Sequence, residues 1–133
     1  MVGAVIITHG GLGAALVEAA GSITGKTERM AAINVAGADG ANGLRERLAG
    51  AVKDVNAGKG VIIFTDMFGG TPTNIALSLL EPGKVEILTG VNLPVILKYI
   101  GHSADKPLHD LALMLREYGR TSIVLAGDML KEK

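Results

Sequence analysis

His9 and Asp66 are the residues of this sequence best suited to chemistry, because each directly follows or closes an apolar run. His9 comes after Val2 to Thr8, and Asp66 comes after Val61 to Thr65. A carboxylate beside an imidazole accepts a hydrogen bond from one ring nitrogen. That fixes the tautomer and leaves the other nitrogen's lone pair directed outward. An ordinary imidazole titrates at about 6.5, so it is substantially neutral and nucleophilic near neutral pH. The carboxylate also stabilises the positive ring that forms when the free nitrogen bonds to phosphorus. Glycines flank both residues, Gly10-Gly11 after the first and Gly69-Gly70 after the second. They let backbone approach an anion closely, and helix N-termini near Gly11 and Thr71 would direct N–H groups toward a phosphoryl group. His9 and Asp66 are therefore the candidate catalytic pair, with Gly10, Gly69, Gly70 and Thr71 as candidate phosphate-binding residues.

Each of these residues alone has an ordinary reading: a loop histidine, an aspartate opening a turn, glycines serving turn geometry. What favours chemistry is their convergence, which depends on the elements that carry them. Short apolar runs alternate with helical patterns along the chain. Val2–Thr8, Met30–Val35 and Val61–Thr65 read as strands, the first and third apolar enough to be buried on both faces of a parallel sheet. Val85–Thr89 alternates more, as a strand nearer an edge does.

Helical stripes run through Leu12, Leu16, Ala19 and Ile23, then through Leu44, Leu48, Val52 and Val55. Thr71-Pro72 starts a third helix bearing Ile75, Ala76, Leu79 and Leu80, with Thr71 as its cap and Pro82-Gly83 as its stop. Asn92 caps a fourth bearing Leu93, Ile96, Leu97 and Ile100, and Leu108, Leu111, Ala112 and Leu115 mark a last one. Ile123-Val124-Leu125 reads as a short final strand whose partner and direction the sequence leaves open. The class is α/β with an open, mostly parallel sheet. Ligands of such sheets sit beyond the carboxyl ends of the strands at the point where the winding reverses. In strand order 2-1-3-4, the first and third strands are neighbours and His9 faces Asp66 across one crevice.

Composition narrows the alternatives. The 133 residues fit one domain, 1–133, and 48% hydrophobic content argues for a packed core. Thirteen basic residues balance thirteen acidic ones without clustering, which argues against nucleic acid or an anionic membrane surface as partner. Cysteine is absent, removing disulfides and thiolate chemistry. The N-terminal stretch lacks a basic n-region, and no run approaches a membrane span, so a cytoplasmic protein is expected. His102 and His109 lie around a helix junction as solvated or capping residues, and the three histidines have no metal-ligating spacing; no metal and no cofactor are expected. A Walker loop, a dinucleotide fingerprint and a serine nucleophile elbow are missing.

Three segments together carry a resemblance. Ile7-Thr8-His9-Gly10, Phe64-Thr65-Asp66-Met67-Phe68-Gly69-Gly70-Thr71-Pro72-Thr73-Asn74 and Thr89-Gly90-Val91-Asn92-Leu93-Pro94 resemble the EIIA domain of the mannose-type sugar phosphotransferase system, in the same order and over essentially the whole chain. The resemblance implies a sheet of order 2-1-3-4 with helices on both faces. It also implies a C-terminal strand exchanged between the subunits of a homodimer. It implies that His9 accepts phosphate from the histidine-containing phosphocarrier protein and passes it to an EIIB component, with Asp66 bonded to the ring. The chain reads on to Met129-Leu130-Lys131-Glu132-Lys133 without an Ala/Pro-rich linker, as a free-standing EIIA would. Three other readings stand beside it: a regulatory phosphohistidine module without transport, the phosphotransfer subunit of dihydroxyacetone kinase, and a flavodoxin-like binder that does no covalent chemistry.

Overall fold

The first strand sets the architecture. In the computed structural model, which describes residues 1–131, β1 (Gly3–His9) is buried along its length except at His9. Val2, Ala4 and Ile6 point to one face of the sheet, and Val5 and Ile7 to the other. A period of two therefore feeds two separate cores from one strand. The expected last residues of the domain, Glu132 and Lys133, lie outside the described residues.

The chain alternates after β1 as expected: α1 (Leu12–Thr24), β2 (Met30–Val35), α2 (Ala41–Val55), β3 (Val61–Thr65), α3 (Gly70–Leu77), β4 (Val85–Leu88), α4 (Leu93–His102), α5 (Leu108–Thr121) and α6 (Ala126–Lys131). The four strands pair in the order β2-β1-β3-β4, all parallel. One face carries α1, α4 and α5 over Ala4, Ile6, Ile62 and Phe64; the other carries α2 and α3 over Val5, Ile7, Ile63 and Val85. On the first face the Phe64 and Tyr99 rings meet edge to face, with centroids 5.8 Å apart, and the Tyr99 hydroxyl donates to the Val2 carbonyl. Among the described residues no helix is long and apolar enough to cross a membrane.

The structure departs from the sequence reading in three places. The α1 stripe is rotated by one residue: Gly13, Val17 and Ala20 face the sheet, whereas Leu12 and Ile23 are exposed. The helix turns its smallest residue inward because Gly13 lies so close to β1 that an added Cβ would come within 3.0 Å of Ile6. Secondly, α3 differs at both ends. It begins at Gly70 with Gly69 as its cap and no side-chain cap, so Thr71 is already in the first turn. It ends at Leu77, where the Ser78 hydroxyl donates to the Ile75 carbonyl at 2.6 Å, so Leu79 and Leu80 lie beyond the helix and Pro82-Gly83 is not its stop. The third correction is the final strand. Ser122 closes α5, Ile123 to Leu125 pair with no strand of this chain, and α6 follows. Strand conformation needs partners for its N–H and C=O groups. After α5 these groups pair with no strand among the described residues.

Packing is tightest where β1 begins. A Cβ on Gly3 would lie 2.3 Å from the Val55 carbonyl oxygen, at the end of α2. Replacing a strand glycine by alanine ordinarily gains about 0.5–1 kcal/mol of backbone entropy. A collision with main chain has no rotamer to escape into, and overpacking costs about 1–3 kcal/mol. The collision is therefore expected to win: Gly3→Ala should lower the urea midpoint of unfolding, and an unchanged or raised midpoint would show that α2 can shift freely.

Candidate functional site

The parallel register brings the candidate residues together. Ile7 pairs with Thr65, so His9 stands two positions beyond that rung and Asp66 one beyond it, at the same end of adjacent strands. One carboxylate oxygen then makes both bonds to the histidine. Asp66 Oδ2 accepts from the His9 backbone N–H at 3.0 Å and lies 2.8 Å from ring Nδ1. A carboxylate can only accept, so Nδ1 carries the proton and Nε2 keeps its lone pair. The His9 side chain is 50% exposed and that of Asp66 only 13%.

Burial pushes the Asp66 carboxyl up. Its hydrogen bonds from the His9 ring and backbone, with the attraction of a charged ring, outweigh that and hold it below the ordinary 3.8. The other oxygen, Oδ1, is buried and has no hydrogen-bond partner among the described residues.

The glycines divide their tasks. Gly10, in left-handed conformation, turns the chain out of β1 while its N–H still bonds the Val35 carbonyl. Gly69 and Gly70 both have positive φ and bring the start of α3 against the ring. A Cβ on Gly70 would sit 3.0 Å from His9 Cε1 and 3.3 Å from Nε2, so any larger residue there would crowd the free nitrogen. The first N–H groups of α3, which have no acceptor within the helix, thus begin beside Nε2. Thr71 lies in that first turn, exposed, and its hydroxyl makes no hydrogen bond among the described residues.

Three threonines of the site escaped the sequence reading. Thr8, buried at the end of β1, accepts from the Gly13 N–H at 2.8 Å and so anchors the start of α1. Thr65 and Thr73, both buried, hold their hydroxyls 2.8 Å apart beneath the Asp66 loop, and Thr73 donates to the Met67 carbonyl. Thr8 and Thr65 close apolar runs and look like any β-branched strand residue, and Thr73 looks like any first-turn residue after Pro72, so only their three-dimensional partners reveal them.

Elsewhere, His102 faces Asp105 at 3.3 Å past the end of α4, and His109 is exposed on α5. Among the described residues, no three His, Cys, Asp or Glu side chains gather as a metal site would require. Clefts of about 360 and 470 Å³ are lined by β4–α5 residues and by the opposite end of the sheet, and neither includes His9 or Asp66. The pair stands on an open rim with Met67 and Phe68 exposed beside it, Phe68 by 79%.

The family model described as EIIA-man, PTS system fructose IIA component, matches residues 3–114. The PTS system fructose-specific EIIA component of Bacillus subtilis (strain 168) is 30% identical over 133 residues, covering 99% of this chain and 91% of its own. The PTS system mannose-specific EIIAB component of Escherichia coli (strain K12) is 28% identical over 121 residues, which cover 90% of this chain but 38% of that longer protein. The crystal structure of phosphotransferase system component EIIA from Streptococcus agalactiae superposes with a TM-score of 0.86 at 24% identity, covering 96% of this chain and 99% of that one.

The lowered Asp66 value has a pH consequence. A depressed carboxyl contributes stability that is fully present above its unfolded value and lost as pH falls through its folded one. From about pH 5 down to about pH 2, where an ordinary imidazole is already protonated, the stability difference between wild type and Asp66→Asn should therefore shrink as pH falls below 3.8. Urea unfolding across that range measures it, and a difference that grows on acidification would contradict the assignment.

Proposed function

Because the chain belongs to the mannose-type EIIA family of the sugar phosphotransferase system, we propose that it carries a phosphoryl group on Nε2 of His9. The phosphoryl group comes from the histidine-containing phosphocarrier protein and goes on to an EIIB component. The observation that carries this reading is the 2.8 Å contact between Nδ1 and Asp66, which commits the Nδ1 proton and leaves Nε2 as the nucleophile. In the forward step the donor's N–P bond breaks as the Nε2–P bond forms in line, and the donor imidazole recovers its electron pair. The His9 ring then carries positive charge, stabilised by the Asp66 carboxylate, while the phosphoryl oxygens face the start of α3 near Gly69, Gly70 and Thr71. Transfer to EIIB repeats the step in the opposite sense.

An open rim supports a protein as the donor better than an enclosed small molecule, because Met67 and Phe68 offer apolar contact area around the ring. Such an exchange between proteins takes place in the cytoplasm. Incubation with enzyme I, the phosphocarrier protein and phosphoenolpyruvate should add one acid-labile phosphoryl group to wild type and none to His9→Ala. Asp66→Asn, which keeps the shape and loses the charge, should slow labelling at least about tenfold, or ~1.4 kcal/mol of barrier. Intact-mass analysis reads all three; full labelling of His9→Ala would remove His9 from the pathway.

The protein also acts, in this proposal, as a homodimer built by exchange of residues 122–125. Ile123, Val124 and Leu125 are exposed apolar residues, Ile123 by 80%, and β4 is an open edge of the sheet. On that edge the Ile87 N–H bonds the carboxylate of its own neighbour Glu86 at 3.0 Å, a place a partner strand's carbonyl would take. Pairing there would satisfy both the strand edge and the stranded segment. Sedimentation should show a dimer, and truncation before Thr121 should give monomers or aggregates. A monodisperse full-length monomer at micromolar concentration would refute the exchange.

A further inference from the structure

The loop that carries Asp66 has to hold a largely buried carboxylate against a ring, yet residues 66–69 belong to no regular element and Asp66 Oδ1 is bonded to nothing among the described residues. What restrains the loop lies beneath it. Thr65 ends β3 fully buried, and Thr73, within α3, is 1% exposed. Their hydroxyls are 2.8 Å apart, and both reach toward the Met67 carbonyl, Thr73 closely and Thr65 at 3.5 Å. Proton counting orders the chain. Thr73 donates its one proton to the Met67 carbonyl, so Thr65 donates to Thr73. This short relay joins a strand end, a helix and the main chain one residue beyond Asp66.

Valine has the shape of threonine and would fill the same apolar space without the cost of burying a hydroxyl. Among the described residues the Thr73 hydroxyl bonds to Thr65 and to Met67 alone, so its polar contribution goes to the loop. We propose that Thr73 is a positioning residue for the His9–Asp66 pair: by holding the Met67 carbonyl it keeps Asp66 Oδ2 within reach of both the backbone N–H and Nδ1 of His9. Loss of that hold would let the carboxylate drift, the ring would sample both tautomers, and fewer molecules would present a free Nε2 lone pair. The kinetic part of this inference rests on His9 carrying the phosphoryl group; the tautomer part does not.

The test compares Thr73→Val, which removes the hydroxyl at constant shape, with Thr73→Ser, which keeps it. Ring nitrogen shifts of His9 are read by NMR in the unphosphorylated protein, and labelling rates are read with the phosphocarrier system. Thr73→Val should mix the His9 tautomers and slow labelling about fivefold or more, the effect of one hydrogen bond. Thr73→Ser should restore both readings. In an Asp66→Ala background, where there is no carboxylate to position, Thr73→Val should add less than about a twofold change. A wild-type tautomer and labelling rate in Thr73→Val would overturn the proposal, as would an equal loss in both backgrounds. Should Thr73→Val not fold, Thr65→Val, which removes the donor to Thr73, is judged by the same readings. If wild type takes up no phosphoryl group, the functional reading fails and the tautomer comparison still decides this one.

Discussion

A single carboxylate oxygen shared between the main chain and the ring of one histidine is the contact on which the site depends. Asp66 Oδ2 holds His9 by its N–H and by Nδ1, so backbone and imidazole are oriented by the same atom. Parallel pairing of β1 with β3 makes this possible, because neighbouring strands leave the sheet at the same end and their first unpaired residues meet there. An antiparallel pair would have placed the end of one strand beside the beginning of the other. The central position of these two strands in turn requires that both faces be covered, and the two hydrophobic clusters fed by alternate residues of β1 do so.

The electrostatics of the pair are a contest between opposing effects. Removing a carboxylate from water disfavours its charged form, and one oxygen of Asp66 is buried with nothing to bond. Two hydrogen bonds from His9 to the other oxygen reverse the sign and keep the group ionised. The charge is thus aimed at the ring, where positive charge would develop in the proposed transfer. Gly70 completes the geometry by allowing main chain, rather than a side chain, to border the free nitrogen.

Much of this was legible in the residues themselves. The apolar runs marked all four strands, the Leu108–Leu111–Leu115 stripe marked the buried face of α5, and Asn92 caps α4 with a 3.0 Å bond to the Val95 N–H, as its position before Leu93 implied. The pairing of His9 with Asp66 followed from strand order and the rule that ligands gather beyond strand ends. The failures have a common physical source, since each depended on distances between elements. Which face of α1 turns inward was decided by how closely Gly13 can approach Ile6, and apolar periodicity alone favoured the bulkier stripe. The start of α3 was set by two glycines with positive φ, a backbone choice that overrode the capping preference of Thr71. Ile123 to Leu125 has strand composition but pairs with no strand among the described residues, and composition says nothing of partners.

The double attachment of His9 bears on how long its encounters need to last. A side chain held at both ring and backbone gives up its rotational freedom when the protein folds, not when a partner docks. In the proposed transfer, docking then need not supply the energy to orient the ring, and the contact surface could be weak without slowing the reaction. Weak surfaces release quickly, because differences in affinity among related complexes lie mostly in the rate of departure. On the proposed function, a carrier that meets a donor and then an acceptor on the same rim would gain more from fast release than from tight grip. Rigidity in the ring is what permits looseness in the complex.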